Sequence, residues 1–114
     1  MNRKNEFPNI KFNYLYRDGG NYKLYDFVIF TNPKALELAE IQNRIRKNLI
    51  DGEFFSPEKW NIPSLEFETS DPELDHQWNE FESIEFTEER SEKMEAIDGF
   101  LKQIEHKSDL NKTE

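Results

Sequence analysis

The sequence predicts an α+β fold: an antiparallel sheet of about four strands with two helices packed on one face, in the order β-β-α-β-β-α, forming a two-layer sandwich. Three observations lead there. Residues 10–30 read as alternating β-favouring segments around the turn residues Asp18-Gly19-Gly20-Asn21. Leu38, Ile41, Ile45 and Leu49 recur at helical steps, and a second pair of β-favouring segments, 64–69 and 78–86, precedes another such stripe at Met94, Ile97, Leu101 and Ile104.

In the first hairpin, a loop of two or four residues makes opposed positions sum to 39, which pairs Ile10 with Ile29, Phe12 with Phe27 and Tyr14 with Tyr25. Directly opposed residues share a face, so these aromatics form the expected core face. Lys11, Asn13, Leu15, Arg17, Leu24, Asp26 and Val28 form the wetter one. Thr31-Asn32-Pro33 then supplies a capping side chain and a proline at a first helical position. Glu40 and Arg44 face each other at i, i+4. Arg44, Arg46 and Lys47 favour the negative end of the helix dipole, and Asp51-Gly52 stops the helix.

Two prolines, Pro57 and Pro63, make residues 53–63 an irregular or single-turn connection pinned by Phe54, Phe55 and Trp60. Leu65 and Phe67 alternate with Glu66 and Glu68 as a third strand, which Asp71-Pro72 breaks. Trp78 to Phe86 forms a fourth, although Phe81, Ile84 and Phe86 do not keep a period of two. Thr87 is placed to cap a last helix with the acidic first turn Glu88, Glu89 and Glu92; Asp98-Gly99 falls in its middle and weakens it by about 1 kcal/mol.

All of this fits one domain over residues 1–114, with an ordered core of about 7–106 and frayed ends. Sixteen aromatic residues, ten of them Phe, are material for a core despite a mean hydropathy of −0.96. With no cysteine, disulfides, thiolate metal sites and a cysteine nucleophile are excluded. The longest apolar run, Phe27 to Phe30, is far below the ~20 residues of a membrane span, and no apolar segment follows the basic residues at the start. A cytoplasmic protein that does not engage a membrane is the expectation.

Charge is the most unusual property. Lys and Arg number 15 against 24 Asp and Glu, a net charge of −9. Residues 1–50 hold nine bases and five acids (+4), whereas residues 51–114 hold six bases and nineteen acids (−13). Between residues 66 and 92 stand eleven acids and one base, Arg90. Self-repulsion of this size destabilises a compact state, which favours a purpose for it: a face that attracts a basic partner protein and speeds its capture. The partner-binding residues expected on that face are Glu66, Glu68, Asp71, Asp75, Trp78, Glu80 and Glu82. An immunity protein, an antitoxin or an inhibitor that imitates nucleic acid would use such a face. A solvated, merely solubilising surface is the bland alternative.

Catalytic signatures are absent. Glycines at 19, 20, 52 and 99 build neither a dinucleotide fingerprint nor a phosphate loop, and no nucleophile elbow occurs. No cofactor is expected, and an enzyme is the less favoured reading. The alternative is a small metal-binding or metal-assisted hydrolase domain using Asp71, Asp75, His76 and Glu80, where a histidine among carboxylates would hold a divalent ion. Tyr14, Tyr16, Tyr22 and Tyr25 near Lys11, Arg17 and Lys23 resemble a platform for single-stranded nucleic acid, but the net negative charge opposes direct nucleic-acid binding. The last helix or the hairpin edge offers a seam for a second copy, so a monomer or weak homodimer is expected.

The runs Tyr14 to Lys23, Leu49 to Phe55 with Pro57 and Trp60, and Leu74 to Phe81 resemble a family of small uncharacterised acidic bacterial proteins, over about residues 10–87. The resemblance implies a bacterial or phage source and carries no activity.

Overall fold

An antiparallel sheet of four strands, ordered β2-β1-β4-β3, carries three helices in the computed structural model, which describes residues 8–17, 20, 22–63, 65 and 78–112, with side chains to residue 106. The elements are β1 (Asn9–Arg17), β2 (Lys23–Phe30), α1 (Leu38–Lys47), β3 (Phe54–Phe55), α2 (Pro57–Trp60), β4 (Asn79–Thr87) and α3 (Ile97–Lys112). The α+β class is as predicted, and the order is β-β-α-β-α-β-α. Among the described residues there are three helices, where two were expected, and a short strand at Phe54–Phe55 that was not. The predicted strand at 64–69 lies outside the described residues except for Leu65. Among the described residues no helix is long and apolar enough to cross a membrane.

The hairpin register differs from expectation by one residue. Arg17 pairs with Lys23, so the loop has an odd number of residues and opposed positions sum to 40: Ile10 with Phe30, Phe12 with Val28, Tyr14 with Asp26. A one-residue slip turns every side chain of a strand to the other face. Ile10, Phe12, Tyr14 and Tyr16 are buried as predicted, but their β2 neighbours on that face are Leu24, Asp26, Val28 and Phe30. Tyr25 and Phe27 lie on the opposite face and are exposed.

In β4 the missing period has a cause. Asn13 pairs with Ser83 but Tyr14 pairs with Phe81, leaving Glu82 as the extra residue of a β-bulge. Phe81 and Ile84, three positions apart, thereby face the same core.

Phe12 is the centre of that core. Its ring lies 5.3–6.5 Å from those of Tyr14, Phe30, Phe55, Trp60, Phe81 and Phe100, which join β1, β2, β3, β4, α2 and α3 in one cluster. Ile41 and Ile45 of α1 and Ile97, Leu101 and Ile104 of α3 complete it. These are the centres of the helical stripes read from the sequence, with Phe100 added; Leu38 and Leu49 are only partly buried, and Met94, expected to begin the second stripe, lies before α3. Tyr14 donates its hydroxyl to the Pro63 carbonyl at 2.6 Å, and burial, with Asp26 adding, raises its ionisation far above the ordinary range.

Both long helices begin later than expected. Asn32 does not cap a helix at Pro33; its side-chain amide donates to the Leu36 carbonyl and its oxygen accepts from the Leu36 N–H, both at 3.0 Å. That loop holds Ala35 at φ 55°, a left-handed conformation that a right-handed helix cannot contain, so α1 starts at Leu38. Thr87 accepts from the Glu89 N–H in a local turn, and residues 88–96 form an extended strap before α3 starts at Ile97. Gly99 thus occupies the first turn of α3, not its middle, and a Cβ there would meet nothing within 4 Å. Gly99→Ala is expected to stabilise the protein by about 0.5–1 kcal/mol by restricting the unfolded chain, read as a higher urea midpoint at an unchanged slope.

Arg44 joins the helices. It forms a two-bond pair with Glu105 of α3 (2.7 and 2.8 Å) and reaches the predicted partner Glu40 at 3.6 Å. The Arg44 hydrogen bond holds the Glu105 carboxyl below its usual range, against the opposing effect of burial. A lowered folded value means a contribution fully present above the unfolded pKa of about 4.3 and lost as pH falls through the folded value. Glu105→Gln is therefore expected to cost under about 1 kcal/mol near neutrality, given the pair's partial exposure. The deficit relative to wild type should shrink in acid when urea midpoints are compared at about pH 7 and about pH 3.

Candidate functional site

Alternation along the strands assigns one face of the sheet to the core and leaves the other, here the outer face, without a helix from among the described residues. Asn9, Lys11, Asn13, Leu15 and Arg17 of β1 lie on it, flanked by Tyr25, Phe27 and Ile29 of β2 and by Glu80, Ser83 and Glu85 of β4. Phe54 of β3 pairs with Glu80 and belongs to the same face.

The strap of residues 88–96 covers one end of this face. Lys11 donates to Glu89 at 3.0 Å, Asn9 donates to the Glu89 carbonyl at 2.9 Å, and Thr31 bridges Ala96 in parallel. Ile29, beside the strap, is buried, whereas Tyr25 and Phe27 on the same strand face are 58% and 42% exposed. The Lys11 ammonium sits 4.2 Å from the centre of the Phe27 ring.

The other end carries Arg17, Glu80, Phe54 and Trp78. Arg17 grips Glu80 through two hydrogen bonds of 2.8 and 3.1 Å. Phe54 and Trp78 lie with ring centres 6.1 Å apart, and Trp78 is 41% exposed. Asn79, fully buried, accepts from the Leu65 N–H at 3.2 Å and donates to the Leu65 carbonyl at 3.4 Å. The chain thus leaves the described structure at Leu65 and returns at Trp78 with those two points held together.

Of the expected partner-binding residues, Trp78, Glu80 and Glu82 belong to this region, while Glu66, Glu68, Asp71 and Asp75 lie outside the described residues. Glu80 and Glu82 were expected to project together. Glu80 is paired with Arg17, whereas Glu82, the residue of the bulge, is exposed. The first half of the chain also supplies cations to Glu89 (Lys11), Asp98 (Lys34, 3.9 Å) and Glu105 (Arg44). Part of the charge asymmetry is therefore closed internally. Glu82, Glu88, Glu92 and Glu95 are exposed, as is Glu85, which accepts from Asn13 at 3.1 Å.

In the metal alternative, Asp71, Asp75 and His76 lie outside the described residues, and both oxygens of Glu80 are committed to Arg17. Among the described residues no group of three or more His, Asp or Glu stands close enough to hold a metal ion. Tyr25 and Phe27, which sequence reasoning placed on the core face, are the outer-face residues it missed, whereas Arg17 lies on the face expected to be wetter. The parity of the hairpin loop was the missing signal.

No family model, no curated protein and no solved structure matches the chain.

Proposed function

We propose that this is a non-enzymatic binding protein that engages a basic partner protein through the acidic residues of its C-terminal half, as an immunity protein, an antitoxin or a nucleic-acid-mimicking inhibitor would. One observation supports this above the others: the chain leaves for the acidic stretch at Leu65 and returns at Trp78, and Asn79 ties both points beside the Arg- and aromatic-bearing end of the sheet. Exposed Trp and Tyr beside a fixed Arg are the residue types enriched where protein interfaces concentrate their energy. The surrounding carboxylates would steer a basic partner from a distance. Glu66, Glu68, Asp71, Asp75, Trp78 and Glu82 are the residues assigned to the contact, and Glu80 is reassigned to holding Arg17. The protein acts from the cytoplasm as a monomer or weak homodimer, with no direct contact to nucleic acid.

The test is capture from the native host with wild type and with a variant carrying Glu66→Gln, Glu68→Gln, Asp71→Asn, Asp75→Asn and Glu82→Gln. Wild type is expected to retain a basic protein in stoichiometric amount and to release it as ionic strength rises to about 0.5 M, where the Debye length falls to a few Å. The neutralised variant should not retain it. A partner held equally by both proteins, or one whose association ignores ionic strength, would sink this assignment.

A further inference from the structure

Resting on the basic-partner reading above, we infer that the outer edge of β2 takes an extended, basic segment of the partner as an added strand. β2 ends the sheet, and among the described residues no strand pairs with its outer side. The direction of its backbone groups follows from two contacts. Thr31 donates to the Glu95 carbonyl at 2.9 Å and its own carbonyl accepts from the Ile97 N–H at 2.8 Å, so both of its groups point away from β1. Successive residues of a strand alternate in this respect, so Ile29, Phe27 and Tyr25 also point outward. Phe27 agrees, because its N–H is met by the Asp26 carboxylate at 2.7 Å.

A cleft of about 800 Å³ runs along this edge. Val28 and Phe30, from the core face, and Phe27 and Ile29, from the outer face, line the same cleft, so it follows the strand margin and not either surface. Asn61 and Pro63 form one wall and Ser91–Glu95 the other. The Thr31–Ala96 bridge closes its end, where the chain itself already uses the edge for pairing. From Tyr25 to Ile29 the edge spans about 13 Å. An added strand there would exchange hydrogen bonds with three outward residues and place side chains against Phe27 and Tyr25, the exposed residues of that margin.

Charge selects the occupant. Glu92 and Glu95 line the cleft with Lys93, the Asp26 carboxylate sits on the N–H of the lining residue Phe27, and Lys11 shows that the Phe27 ring receives an ammonium. A second copy would bring another −9 to the same margin. A partner strand bearing Lys or Arg would satisfy Asp26 while taking over the Phe27 N–H, which the carboxylate guards against indiscriminate edge pairing.

The probe is a short synthetic peptide alternating lysine and valine, titrated into isotopically labelled full-length protein, beside the same peptide N-methylated at alternate residues. Equal charge and unequal ability to pair separate the two. The unmethylated peptide is expected to shift and protect the amides of Tyr25 and Ile29 and to perturb Ser91–Glu95, with the methylated one binding at least about tenfold more weakly. Glu92→Gln with Glu95→Gln should weaken binding severalfold and flatten its salt dependence. Phe27→Pro, which removes an outward N–H and is tolerated on an edge, should abolish protection at Ile29. Equal binding of both peptides, or shifts gathered at Trp78, would overturn the edge assignment and leave the basic-partner reading standing. Absence of binding by either peptide would overturn it too, as would edge protection that grows with protein concentration alone, the sign of a second copy. The capture experiment judges the partner reading separately.

Discussion

Phe12→Ala is expected to lower stability by about 3–5 kcal/mol, the range for truncating a buried aromatic residue, whereas Phe27→Ala on the same hairpin is expected to cost about 1 kcal/mol. Phe12 is fully buried and its ring meets six others, so its removal strips contacts from five other elements at once. Small domains have only about 5–15 kcal/mol in total, so the variant should lose a large fraction of its stability and show a much lower urea midpoint. Phe27 is 42% exposed and loses mainly the Lys11 contact. The contrast tests the register directly. With positions summing to 39 the two phenylalanines would be a cross-strand core pair and would cost alike; equal losses on urea unfolding would restore that register and remove Phe27 from the outer face.

Helix stripes were legible because burial imposes a period that few accidents reproduce. Ile41, Ile45, Ile97, Leu101 and Ile104 are where the spacing put them. Helix starts were not, because a capping residue can satisfy other groups: Asn32 closes a loop on Leu36 and Thr87 turns onto Glu89. The two-residue strand Phe54–Phe55 is too short to carry a period, and its pairing with Glu80 and Asn79 is a tertiary event. Hairpin register hinges on whether the loop is odd or even, and Asp18-Gly19-Gly20-Asn21 permits both. The bulge at Glu82 hid in plain sight as an interrupted alternation, since an extra residue shifts phase without changing composition.

The candidate site was legible in charge and not in place. Composition identifies an excess of carboxylates, but pairing decides which remain available. Arg17 and Lys11, distant in sequence, take Glu80 and Glu89 because β1 lies beside β4 in the sheet. A neighbour relation between the first and fourth strands cannot be read from either segment alone. The same relation gives the outer face its mixture of Arg, Trp, Tyr and Phe, which a count of acids does not suggest.

Asn79→Ala is the second large effect, expected to cost about 1–3 kcal/mol because it leaves the Leu65 N–H and carbonyl without the partner they have in a partly buried position. It removes no charge, yet it releases the tie between the two points that bracket the acidic stretch. Partner affinity should therefore fall in a variant whose carboxylates are all intact, which separates positioning of the acids from their number. Asn79→Asp sharpens the test. Its carboxylate keeps the acceptor for Leu65 N–H but faces the Leu65 carbonyl with no donor, and burial raises its pKa. The folded variant then binds more protons than the unfolded one, so its stability relative to wild type increases as pH falls through that raised value, the protonated oxygen donating in place of the amide. Urea midpoints of the Ala and Asp variants at about pH 7 and about pH 5 should show the Asp deficit shrinking while the Ala deficit stays put. An Asp variant as stable as wild type at neutral pH would mean that the Asn79 amide is not holding Leu65.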